Sequence, residues 1–214
     1  MRNSPAAGGY DFAADPNETA EQAQLFWTAR VFPEVIEFQP LSAAPDDDPT
    51  ALPIDLTALP AIAARTSPDG AWHGLWQAGS AVHRFWLPAT KPAAGNRHVV
   101  ILPFDRLFKQ RLAAAERFWR TQAGLRPMKA PRGLPGLMLD RHALILRALD
   151  ARLVDGASYR LIGEVLLGFH GSKADWESHH RKSEARRLVE DGLYYKSGGY
   201  RELLCYPLQT IFRN

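Results

Sequence analysis

Residues 179–187 read HHRKSEARR, a run dense in side chains that donate hydrogen bonds to anionic oxygens. Wound at about 100° per residue, the run puts His179, Ser183, Arg186 and Arg187 on one side of a helix. Ala185, Leu188 and Val189 fall on the other side, and Lys182 sits at the edge. Ser, His and Arg side chains contact phosphate oxygens and base edges, so the chemistry on offer is recognition of a nucleic acid. A basic helical face is more often plain solvated surface, and Glu177, Glu184 and Glu190 in the same stretch would repel phosphate.

Other chemistries find little support. His179 and His180, beside Glu177, lack the i, i+4 spacing with which two helical ligands share a metal. There is no phosphate-binding loop, nucleophile elbow or metal-ligand helix. Cys205 sits in an apolar setting, LLCYPL, suited to packing. Neither an enzyme nor a cofactor is expected.

The basic run needs a scaffold that leaves one of its faces bare. A helix from near Asp175 or Trp176 to about Asp191, ended by Gly192, would carry it, with Trp176 as a core anchor. Before it, SYRLIGEVLLG (158–168) reads as a short helix capped by Ser158, whose Leu161, Ile162, Val165 and Leu166 share a stripe. Earlier still, Asp140 can cap a helix from about Arg141 to Val154, with Leu146, Leu149 and Leu153 inward and Gly156 closing it. Two helices so closely joined must pack together, and a third then presents its outer face. That is the layout of a helix-turn-helix, with residues 176–191 free to enter a major groove. Arg160, at the start of the bracing helix, could hold a phosphate, since helix N-termini favour anions. KSGGYRELL (196–204) reads as a hairpin or helix connection, or as a wing-like element bringing Lys196 and Arg201 to a nucleic-acid backbone.

Upstream the pattern changes period. EVIEF (34–38), AWHGLWQ (71–77), AVHRFWL (81–87) and HVVIL (98–102) read as strands, the middle two forming a hairpin that turns at Ala78-Gly79-Ser80. Trp72, Trp76, Phe85 and Trp86 of that hairpin suit a core or an interface better than a surface for stacking bases. AAPDDDPTALP (43–53) is an acidic, proline-rich loop. DRLFKQRLAAAERFWRTQAG then reads as an amphipathic helix with Leu107, Phe108, Leu112, Ala115, Phe118 and Trp119 inward. Arg106, Lys109, Arg117 and Arg120 take its remaining surface, Asp105 is its cap and Gly124 its stop. GLRPMKAPRGLPG follows, too rich in Pro, Gly and cations for regular structure. The expected fold is α+β: a β-rich region with a closing amphipathic helix over 1–123, a basic Pro/Gly-rich linker over 124–137, and a helix-turn-helix-like domain over 138–214.

The 214 residues, 46% of them hydrophobic, suffice for one large domain or two small ones. A net charge of +3 conceals a split: residues 1–60 carry two basic and ten acidic side chains, whereas residues 97–135 carry nine basic and two acidic. Such a chain could pair its own halves or present a basic face to a polyanion. A single cysteine excludes an internal disulfide framework and fits a reducing compartment. No apolar run approaches the length of a membrane span, and MRNSPAAGGYDFAADPNETAEQ has no apolar core, so a cytoplasmic protein without a membrane partner is expected.

LRALDARLVDGASYRLIGEVLLG, DWESHHRKSEARRLVEDG and GGYRELL together resemble the C-terminal domain of RovC-type DNA-binding transcription regulators of proteobacteria. YDFAADPNETAEQAQLFWTARVFPEVIEF and HVVILPFDRLFKQRLAAAERFWR are similar to the segments that precede this domain in longer members. The resemblance covers most of the chain and is strongest over 139–204. It implies a small DNA-binding or regulator-binding protein: RovC regulates type VI secretion, and relatives such as FseA and QseM control transfer of mobile genetic elements. The expected function is transcription regulation by an oligomer that binds double-stranded DNA through 176–191, with Arg186 and Arg187 leading and His179, Lys182 and Ser183 supporting. The alternative is an antiactivator that uses the same fold to bind another transcription regulator, in which case the acidic N-terminal region matters more than the basic helix.

Overall fold

Alternating aromatic and β-branched residues build the first half of the chain. The computed structural model describes residues 24–41, 54–60, 62–88, 98–126, 128 and 133–206, and the acidic run 43–53 lies outside them. Among the described residues, β1 (Val35–Pro40), β2 (Ile62–Thr66), β3 (Trp72–Ala78), β4 (Ala81–Leu87) and β5 (His98–Ile101) form one mixed sheet in the order β2-β3-β4-β1-β5. β1 runs parallel to β4 and antiparallel to β5. Ala78 pairs with Ala81, so the β3–β4 turn is Gly79-Ser80 alone, shorter than the three-residue turn the sequence suggests. Gly79, at φ +61°, supplies the conformation a two-residue hairpin loop requires. Trp72, Trp76, Phe85 and Trp86 are all buried, which removes the hairpin as a platform for bases.

α1 (Phe108–Gln122) belongs to the same core, where the Phe118 ring meets Phe85 and Phe38 edge-on at 5.1 and 5.5 Å. Its inner face differs from the apolar stripe read in the sequence. Leu107, Arg111, Ala114 and Phe118 are buried, while Leu112 and Trp119 are 46% and 47% exposed. The rotation has polar causes. Arg111 donates to the Ala29 carbonyl oxygen and to the Asp105 carboxylate, and Arg117 pairs with Glu34. Asp105 does not cap the helix; its carboxylate accepts from Leu107 N–H at 2.8 Å, one turn residue ahead of the first helical residue. Gly124 does close it, at φ +64°, with Leu125 N–H donating to the Arg120 carbonyl at 2.8 Å.

The chain divides between Pro131 and Arg132 into two compact units, and the second is helical. α2 (Gly136–Leu153) starts five residues before the expected Arg141, and Asp140 lies inside it. Pro135 stands at its entry, where a missing N–H costs nothing. α3 (Tyr159–Leu167) is capped by Ser158 Oγ, which accepts from Leu161 N–H, and is closed by Gly168 in the left-handed region. α4 (Lys173–Ser178) and α5 (His180–Tyr194) follow, then a π-helical turn over Tyr195–Gly199 and α6 (Tyr200–Leu204).

Ile145, Ala148, Ile162, Leu167, Phe169, Trp176, Ala185, Leu188 and Val189 make up this unit's core. Trp176 is the anchor expected of it. Leu146, Leu153, Leu161 and Val165, expected inward, face solvent, because the helices meet along small residues instead. A Cβ on Gly163 would lie 2.5 Å from the Trp176 ring, and one on Gly192 would lie 2.9 Å from Leu149. Gly192 therefore sits inside α5 as a close-packing residue and does not end it. No helix among the described residues is long and apolar enough to cross a membrane.

Candidate nucleic-acid interface

The basic run expected as one helix over 176–191 is two helices meeting at a corner. Ser172 and Asp175 start α4 with reciprocal bonds: Ser172 N–H donates to the Asp175 carboxylate at 2.8 Å, and Asp175 N–H donates to Ser172 Oγ at 3.3 Å. Hydrogen bonds from Ser172 hold the Asp175 carboxyl below the usual carboxylate range. The chain then leaves the helical region at His179, with φ −79° and ψ 137°, and re-enters it as α5. His179 Nδ1 accepts from Arg181 N–H at 3.2 Å. Its ring stacks on His180 at 4.4 Å and meets Phe169 edge-on at 5.0 Å. His179 is thus a half-buried cap at the corner, not a member of a continuous outer face.

Beyond the corner, α5 buries Ala185, Leu188 and Val189 and exposes Ser183, Arg186 and Arg187, as the helical wheel requires. Eight residues line an open concavity of about 490 Å³: Glu177, Ser178, His179, His180, Lys182, Ser183, Arg186 and Arg187. Five of the eight residues singled out in the sequence meet there. Their engagements differ. The Lys182 ammonium is bound to the Glu177 carboxylate across the corner, a hydrogen bond that keeps Glu177 below its ordinary range. Ser183, Arg186 and Arg187 make no side-chain hydrogen bond or ion pair among the described residues. The hollow is open and cationic, and its two guanidiniums have no carboxylate partner among the described residues, the chemistry that oxyanion recognition requires.

Residues 101–205 match the model of the RovC DNA-binding domain, described as a DNA-binding domain of type VI secretion transcription factors. This segment is similar to a RovC-type DNA-binding domain. No curated protein and no solved structure matches the chain. The RovC-type segment begins at the last residue of β5 and takes in α1 together with every helix of the second unit.

Within that RovC-type segment, the three remaining sequence-predicted residues stand outside the concavity. Arg160 Nε donates to Glu164 Oε1 at 2.8 Å and Nη2 donates to the Gly171 carbonyl at 3.1 Å, tying α3 to the turn before α4. Lys196 is exposed on the π-helical turn and Arg201 on α6. Their segment is helical with a kink at Gly198, φ +122°, and is neither a hairpin nor a wing. Tyr194 closes the kink by donating to Glu202 Oε1 at 2.6 Å.

Sequence reasoning missed Arg152 and Tyr159. Arg152 donates to the Ala157 carbonyl at 2.9 Å and lies over the Tyr159 ring. Their seven-residue spacing spans the α2–α3 connection, so no helical periodicity could have paired them.

Proposed function

We propose that the protein is a transcription regulator that binds double-stranded DNA through the α4–α5 corner, residues 176–191. Arg186 and Arg187 are the principal contacts to phosphates or base edges, and Ser183, His179 and Lys182 support them. The observation that carries this reading is the concavity in which both arginines stand exposed and without an ion pair among the described residues, within a segment that matches a DNA-binding domain family. In this reading the protein is not an enzyme, and it acts as a homo-oligomer. Oligomerisation is supported by Leu139, Leu146 and Leu153, which recur every seventh residue along α2 and are each about half exposed.

The test is a fluorescence-anisotropy titration of the full chain with a labelled duplex from upstream of its own gene and with a scrambled duplex. Binding should be selective and should weaken steeply between about 50 and about 200 mM salt, because phosphate contacts displace condensed counterions. The double variant Arg186→Ala/Arg187→Ala should lose roughly tenfold or more in affinity, at about 1–3 kcal/mol per contact, with its helical circular dichroism intact. A double variant that binds like the parent removes the corner as the DNA-reading element. A parent that binds neither duplex favours the antiactivator alternative, in which another regulator is the partner.

A further inference from the structure

Three helices meet at one aromatic ring. Arg152, at the end of α2, places its guanidinium carbon 4.9 Å from the centre of the Tyr159 ring, and Arg186, in the middle of α5, places its own at 5.8 Å. The two guanidiniums are therefore no further apart than those two distances laid end to end. Two cations on one ring concentrate positive charge at that point of the surface. Neither arginine forms an ion pair among the described residues: Arg152 has the Ala157 carbonyl, and Arg186 has the ring alone. Tyr159 itself is fixed, being the first residue of α3 and packed against the helical core.

A flexible arginine that must find a phosphate loses rotamer freedom on binding, and a side chain already held in place loses less. The face of an aromatic ring supplies such a hold for a guanidinium. Phosphates follow one another densely along each strand of duplex DNA, so two cations on one ring can meet neighbouring phosphates of the same strand. We propose that Tyr159 is a positioning residue that pre-orders Arg186, and that Arg152 is a further phosphate-binding cation, extending the DNA surface from α5 to the α2–α3 connection. The proposal rests on the DNA-binding reading above and adds to it two residues and the order in which they act.

Anisotropy titrations of the full chain with the same upstream duplex test it. Tyr159→Phe keeps the ring and should bind like the parent, whereas Tyr159→Leu should bind about threefold more weakly. In an Arg152→Gln/Arg186→Ala background the Tyr159→Leu effect should vanish, since the ring acts only through those two side chains. Arg152→Gln, which retains a donor for the Ala157 carbonyl, should lower the slope of log affinity against log salt by about one. A Tyr159→Leu loss that persists undiminished in the double background, or a Tyr159→Phe loss as large as that of Tyr159→Leu, overturns the positioning role. A parental salt slope for Arg152→Gln overturns the phosphate contact. If the parent chain binds no duplex, the underlying reading falls and this one falls with it, an outcome distinct from normal parental binding with unaltered variants.

Discussion

In the sheet-containing unit, Arg111 is only 6% exposed, and Arg117 and Glu34 form a pair whose side chains are 14% and 18% exposed. In the helical unit, Arg186 and Arg187 stand in solvent with no ion pair among the described residues. The contrast runs against the charge count. Residues 97–135 are the most basic stretch of the chain, with nine cations against two anions, yet two of those cations are structural and turned inward. Residues 136–214, with twelve cations against ten anions, are nearly balanced and hold the open site. If the concavity is the DNA-binding face proposed above, it is marked by cations without ion-pair partners, and local net charge is a poor guide to where it lies.

Removing a cation should therefore do opposite things in the two units, and the largest effect is expected inside the sheet unit. Burial pushes the Glu34 carboxyl up, and Arg117 pulls it back by charge and hydrogen bond. Arg117→Ala leaves that carboxylate buried without its partner, so urea unfolding followed by tryptophan fluorescence should show a loss of about 3–5 kcal/mol. DNA affinity of the folded fraction should not change. Weakened DNA binding by a variant that remains fully folded would erase the distinction between the units.

Acid should act next most strongly, again on the sheet unit. Burial and the nearby Arg117 charge push His83 down to about 4, and its Nε2 lies 3.1 Å from Thr121 Oγ1. The folded chain thus binds fewer protons than the unfolded one between the two values. The stability due to neutral His83 is complete above pH about 6.5 and is lost progressively as pH falls through about 4, reaching about 3 kcal/mol. His83→Gln should shrink the stability difference between pH about 7 and pH about 4 by that amount in matched urea titrations. An unchanged difference would mean that His83 is not the titrating group.

The smallest expected effect is on the stability of the interface variants. Arg186→Ala/Arg187→Ala should alter unfolding free energy by no more than about 0.5 kcal/mol per site, apart from the loss of the weak Arg186–Tyr159 contact. Thermal melts read by circular dichroism check this, and a large destabilisation would place these arginines in the same structural class as Arg117.

Much of the α+β architecture was legible because the apolar pattern had one clear reader. β3 and β4 alternate around buried tryptophans, and Ser158 and Gly168 bracket α3 with ordinary cap chemistry. β2 has no counterpart in the sequence reading, since IAART lies at the sheet edge with Ala64, Arg65 and Thr66 exposed and carries little hydrophobic signal. The inner face of α1 was misread because a cation, Arg111, occupies a buried position that periodicity assigns to apolar residues. In the candidate site, the outward set on α5 followed from the wheel. The corner did not: its cap is a histidine held by Phe169 and His180, partners that lie at or across the break itself.

The Glu177–Lys182 pair has a consequence for how the corner keeps electrical balance. Its carboxylate is a counterion already built into the protein. On the proposed reading, Lys182 would have to give up Glu177 to reach a phosphate, so it should add less to affinity than Arg186 or Arg187, which have no carboxylate to leave among the described residues. Glu177 therefore restrains one cation of the corner and leaves its two arginines open, which divides the labour of the site between a tethered charge and two free ones.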